Sequence, residues 1–236
     1  MAKFIRIELS GSIRELQAEN WIEMNVRESK LQFGFTLIEL LVIIVTVVML
    51  IVLVFSGARR VKEDALRKQC VDNLKQVGLA FRQWGSHKGP MQTPNEWGGA
   101  QQSVTNGEMF RVFQVMSNEL YSPKILVCPS DIRIAAAEFV TALANTNISY
   151  FLGLDAQDTF PQMFLSGDRN LEIDGVAAGP GVFALTTANN LSWTRTIHDR
   201  IGNVGLADGS VQHFDKKRLN EALAVTGAVT NRLVFP

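Results

Sequence analysis

Hydrophobic positions fall into two regimes along the first third of this chain. Residues 35–55 read FTLIELLVIIVTVVMLIVLVF, apolar throughout except for Thr36, Glu39 and Thr46. A helix rising about 1.5 Å per residue makes such a run about 30 Å long, the thickness of a bilayer's hydrocarbon core. The β-branched residues do not count against a helix, because lipid forces the backbone to close its hydrogen bonds within the segment. The pattern then changes. Leu66, Cys70, Leu74, Val77, Phe81 and Trp84 recur at three- and four-residue steps, an apolar stripe on one helical face. One helix over residues 35–84 is expected, apolar all round at first and amphipathic afterwards. Gly85 and Gly89-Pro90 are its stop signal.

The remainder reads as shorter pieces. Residues 94–107 have loop composition, and 109–120 form a short helix with Phe110, Phe113 and Met116 to one side. Residues 125–128 are an apolar run stopped by Pro129, and Asp131 is placed as the cap of a helix through residue 144. Residues 148–152, 162–165 and 182–185 read as strands. Residues 203–207 and 210–214 flank Asp208-Gly209, a pair that favours a two-residue type I′ hairpin turn. A last helix is expected over 217–225. The fold class is α+β, a long N-terminal helix packed on a small antiparallel-sheet domain. The divisions are a leader at 1–34, a membrane segment at 35–55, its helical continuation at 56–85 and a soluble domain at 86–236.

Charge narrows the classes. With 23 basic and 23 acidic side chains the formal net charge is zero, so no nucleic-acid partner is expected. Glu39 is the anomaly, since a carboxylate in an apolar segment costs a few kcal/mol and calls for a partner. The leader is polar and charged, without the apolar centre of a secretory signal; Met24 offers an alternative start. Arg59, Arg60, Lys62, Arg67 and Lys68 follow the apolar run while only Arg27 and Lys30 closely precede it. That count runs against a cytoplasmic N-terminus.

Lys30, then Gly34-Phe35-Thr36-Leu37-Ile38-Glu39 and the apolar run, resembles the processing motif of type IV pilins and type II secretion pseudopilins. The resemblance outweighs the charge count and implies a pilin-like fold. It implies cleavage between Gly34 and Phe35 by a prepilin peptidase that then N-methylates Phe35. Glu39 would be the acid that pairs with the new amine in its own chain or a neighbour, as an assembly ion pair. Four further segments resemble a pseudopilin-like group: the Cys70–Gly78 stretch CVDNLKQVG, Cys128-Pro129-Ser130-Asp131, Ser166-Gly167-Asp168-Arg169-Asn170, and His198-x9-Asp208-Gly209. The role of His198, Asp208 and Gly209 is open. The implied function is a structural subunit of a secretion or pilus-like filament. Its partners would be the peptidase/methyltransferase, copies of itself and other pilins, an inner-membrane assembly platform and membrane lipid. The implied location is the inner membrane, single-pass with the N-terminus cytoplasmic, and afterwards a periplasmic or cell-surface filament.

Other chemistry is weighed against this. His198 with Asp208, and Ser192 or Ser210 as nucleophile, would make a hydrolase, but no GxSxG elbow occurs and no catalytic residue is assigned. Metal binding by His198, His213 and a carboxylate is disfavoured. Some secretion pseudopilins hold calcium, and Asp155, Asp158, Asp168 and Asp174 are the weak candidates here; otherwise no cofactor is expected. Cys70 and Cys128 are a candidate disulfide tying the helix to the soluble domain, the alternative being two buried free thiols. The rival function is an uncleaved single-pass protein whose ectodomain binds a ligand through Trp97 and Trp193.

Overall fold

The computed structural model describes residues 34–84 and 104–236, with the backbone alone for 54–60. The leader before residue 34, the helix stop after Trp84, most of the 94–107 loop and Trp97 lie outside the described residues. The chain divides into two units, Met1–Val54 and Phe55–Pro236. A single helix, α1 (Leu37–Trp84), contributes to both.

In the first unit α1 starts at a capping box. The Thr36 N–H and hydroxyl both donate to Glu39 Oε2, at 2.8 and 2.9 Å, while Glu39 N–H donates to Thr36 Oγ1 at 3.3 Å. Donors left open at a helix start are thereby satisfied by two of the three polar residues of the apolar run. The Thr46 hydroxyl donates to the Ile43 carbonyl. From Leu40 to Leu53 the large apolar side chains are exposed on every face. Among the described residues no helix is long and apolar enough to cross a membrane.

The second unit is α+β. Within it the expected stripe of α1 is buried: Cys70, Leu74, Val77 and Phe81. Phe110–Val115 (α2) and Ser117–Leu120 (α3) share the predicted 109–120 helix, interrupted at Met116. Nine strands follow: β1 (Tyr150–Gly153), β2 (Phe164–Asp168), β3 (Leu171–Ile173), β4 (Val176–Ala177), β5 (Gly181–Leu185), β6 (Leu191–Trp193), β7 (Gly202–Leu206), β8 (Val211–Phe214) and β9 (Asn231–Phe235). Between β8 and β9 lies α4 (Lys216–Ala224), whose cap Asp215 accepts from Arg218 N–H. A six-stranded antiparallel sheet runs β5-β9-β1-β2-β7-β8, and a three-stranded one runs β4-β3-β6.

Successive residues of a strand point to opposite faces, and both faces of the large sheet are buried. Tyr150, Leu152, Leu165 and Val234 join the α1 stripe and Phe113 in one apolar cluster. Phe151, Phe164, Leu233 and Phe235 face the other, under Leu219 and Leu223 of α4 and Leu171, Leu191 and Trp193 of the small sheet.

Two local expectations fail. No helix spans 131–144; the segment is turns and coil up to a short 3-10 turn at Asn145–Asn147. A capping carboxylate has to accept from the N–H groups of the first helical turn. Asp131 is instead held by the guanidinium of Arg169, and Arg133 donates to the carbonyls of Asn145, Ile148 and Pro236. Ile132, Ile134 and Val140 are exposed, while Ala136, Phe139 and Leu143 reach the core without a helix. The β7–β8 hairpin forms, but not through a two-residue turn. Leu206 N–H donates to the Ser210 carbonyl, Gly209 has φ +84°, and Asp208 does not share that left-handed conformation. This is the longer loop with a left-handed residue at its end.

Candidate functional site

The motifs read from the sequence converge inside the second unit. Cys70 comes from α1, Cys128 from the turn after the short 3-10 helix Pro123–Leu126, Asp168 from the end of β2, and His198 from the loop between β6 and β7. Their donor atoms all lie within 4.8 Å of one another. Cys70 Sγ is 3.2 Å from Asp168 Oδ1, Cys128 Sγ is 3.3 Å from His198 Nε2, and His198 Nε2 is 3.8 Å from Asp168 Oδ2. The Tyr150 hydroxyl sits 3.6 Å from Cys70 Sγ.

Three of the members are held by an asparagine from another member's segment. Asn73, one turn beyond Cys70 on α1, donates to the Val127 carbonyl and so fixes the residue before Cys128. Asn203 donates to Asp168 Oδ2 through its backbone N–H at 2.7 Å and its side chain at 2.9 Å. Asn170 donates to the Thr194 and Ile197 carbonyls and pins the loop that presents His198. That loop is strained: His198, Asp199 and Arg200 have φ of +56°, +45° and +65°. Consecutive left-handed residues other than glycine are costly, on the order of 1 kcal/mol each, and persist only where the surroundings impose them.

Burial sets the protonation. Asp168 is fully buried, which pushes its carboxyl up to about 7 against the pull of the Asn203 N–H, the Cys70 thiol and the Asn203 amide. Burial lowers His198 to about 4, with Arg67 and His213 adding repulsion. Burial, then Cys128 and Asp168, raises the Cys70 thiol, and burial likewise raises Tyr150. Burial thus disfavours the charged forms of Asp168, His198 and Cys70 alike.

Beside it, Arg169 grips Asp131 through two hydrogen bonds at 2.7 and 2.8 Å. Burial raises the Asp131 carboxyl, but the Arg169 hydrogen bonds and charge outweigh it, so the carboxyl lies below its ordinary 3.8. Asp131→Asn is therefore expected to cost about 2 kcal/mol at neutral pH. The contribution is present above the unfolded value and lost as pH falls through the lower folded value. Denaturant melts of parent and variant converge in acid; a gap that persists there rules out this linkage.

The other expected sites are placed as follows. Gly34 and Phe35 are exposed, and Glu39 closes the capping box. Cys70 and Cys128 are brought together, but both are free, buried thiols and not a disulfide. The calcium candidates do not gather. Asp155 pairs with Arg232, Asp174 accepts from Asn189 and Asn190, Asp158 is exposed, and Asp168 belongs to the cluster. Among the described residues the one group able to hold a metal is Cys70, Cys128, Asp168 and His198. His213 is exposed on β8.

His198 faces Asp168 and not Asp208, whose carboxylate accepts from Ser210 N–H. Ser192 donates to Glu172. The Asp208-Gly209 turn lies against α1: a Cβ on Gly209 would come 3.1 Å from Arg82, and one on Gly78 would be 3.9 Å from the Gly209 Cα. Trp193 is buried against Gly202 and is not an exposed ligand contact. The sequence signal for the cluster was available, since each motif segment carries one of its members. Asn170 and Asn203 as positioning groups had no signal. Comparison with protein-family models, with curated proteins and with solved structures returns no match.

Proposed function

We propose that the chain is a structural subunit of a pilin-like or type II secretion-like filament, made as a precursor, cut after Gly34 and N-methylated at Phe35. The observation that carries this is the two-regime helix. Residues 40–53 of α1 present large apolar side chains in all directions, while Cys70 to Phe81 bury one stripe within an antiparallel-sheet unit. A helix apolar all round needs lipid or other helices about it. Membrane burial of residues 35–55 before assembly, and a bundle of such helices after it, supply the two environments in turn. Contacts in that bundle are heterologous and propagate. Glu39 fits the reading, because its carboxylate is turned back to the N–H of Thr36, next to where a new Phe35 amine would form.

The test is N-terminal sequencing and intact-mass analysis of the protein from membranes, with and without an active prepilin peptidase. The expected result is a mature chain beginning at singly methylated Phe35 only where the peptidase is active. Full-length chain in both samples would exclude the proposal and favour the uncut, membrane-anchored alternative.

A further inference from the structure

We propose that Cys70, Cys128, Asp168 and His198 bind one zinc ion in a closed tetrahedral site that joins the amphipathic part of α1 to the sheet. The geometry is the first ground. Zinc bonds of about 2.3 Å to sulfur and 2.0–2.2 Å to nitrogen or oxygen place neighbouring donors about 3.3–3.8 Å apart around a tetrahedral centre. Three of the separations here are 3.2, 3.3 and 3.8 Å, and no pair exceeds 4.8 Å. The donor set is the second ground. Two sulfurs, one imidazole nitrogen and one carboxylate oxygen suit a borderline-soft ion, whereas calcium and magnesium take oxygen shells.

The third ground is the support around the ligands. Asn203 fixes the orientation of the Asp168 carboxylate, Asn73 holds the approach to Cys128, and Asn170 holds the loop bearing His198. Outer partners of this kind orient metal ligands. The run of left-handed residues from His198 to Arg200 is a cost that a metal–imidazole bond would offset. Four protein donors, three of them fully buried and the His198 side chain only 3% exposed, fill a tetrahedral shell without water, so the site is structural and not catalytic.

On binding, the thiol protons of Cys70 and Cys128, and any proton on Asp168, pass to solvent as bonds to zinc form; no electron moves. The resulting set of two thiolates, one carboxylate and Zn²⁺ carries one net negative charge, and Arg67, which acts on His198, supplies a nearby cation. The ion performs the cross-linking that a Cys70–Cys128 disulfide was expected to perform. This inference stands apart from the filament reading, since an anchored protein could hold the same ion.

The experiment uses the full chain in detergent, with thiols kept reduced and resident metal removed by a chelator. It is titrated with Zn²⁺ alone and, separately, Co²⁺ alone. The expected result is one equivalent of either, with cobalt showing the strong visible bands of a tetrahedral centre and sulfur-to-metal charge transfer. Cys128→Ser lowers zinc affinity more than about 100-fold, beyond the usual range for outer partners. His198→Cys keeps one equivalent and raises the charge-transfer absorption in proportion to the third thiolate. His213→Ala changes neither. Absence of binding by the reduced parent overturns the proposal without reference to any variant. So does cobalt binding without thiolate bands, or metal-free protein from cells carrying a Cys70–Cys128 disulfide. Parental charge-transfer intensity in Cys128→Ser would overturn it as well.

Discussion

Replacing Gly34 with leucine is expected to leave the chain folded and uncut. No atom outside its chain neighbours lies within 4 Å of a Cβ built on Gly34, and its φ is not in the left-handed region. A side chain there meets open space, and Gly34 is not in the unit that holds the sheet. Any loss of processing therefore reports on the peptidase and not on folding. On the proposed function, the enzyme needs the smallest residue on the leader side of the cut. The effect is then close to all-or-none: precursor accumulates in membranes and sheared surface material contains none of the protein. A Gly34→Leu chain that matures at the parental rate would sink the assignment of residues 34 and 35 as the cleavage site. Thermal melts of the two chains, which should coincide, exclude a trivial folding cause.

The largest stability effect is expected at Gly153→Ala. Gly153 ends β1, where the β1–β2 and β1–β9 pairings meet. The β2 register shifts between Phe164 and Ser166 relative to β7, a bulge around Leu165. An added Cβ at Gly153 would come 1.7 Å from the Phe164 carbonyl oxygen and 2.8 Å from its carbon. Both are backbone atoms of the neighbouring strand and cannot rotate aside. The strands must separate or the bulge must move, and the cost is about 4 kcal/mol or more, in the range of the most damaging point changes. For a chain of this size that corresponds to a fall in melting temperature of about 10 °C or more. The comparison is Gly179→Ala, where a Cβ meets nothing within 4 Å and the change is expected to stay within about 0.5 kcal/mol. Equal melting temperatures for the two variants would mean that the β1–β2 approach is looser than described.

The sequence pointed to the helix and its stripe because both are local. Steps of three and four residues place Cys70, Leu74, Val77 and Phe81 on one side of any helix they form, whatever lies opposite. Strands β1, β2, β5, β7 and β8 were legible within a few residues by apolar runs and turn chemistry. The strands β3, β4, β6 and β9 were not. NRLVF at Asn231–Phe235 is too short to declare itself, and it becomes a strand by lying between β5 and β1, both distant in sequence. Asp131 shows the reverse error. A good cap followed by helix formers reads as a helix start until Arg169, far along the chain, takes the carboxylate.

By itself, then, the sequence determined the two-regime helix, the motif at its head, the α+β class and the short segments that carry Cys70, Cys128, Asp168 and His198. Only the tertiary structure decided that these four side chains meet, that the thiols have His198 and Asp168 as neighbours and are not bonded to each other, and that the Asp208-Gly209 turn seats under α1. The reason is that spacing along a chain constrains distance in space only within one helix or hairpin. Contacts between residues as far apart as Cys70 and His198 depend on the order and register of the strands between them, which is set by burial on both faces of the sheet.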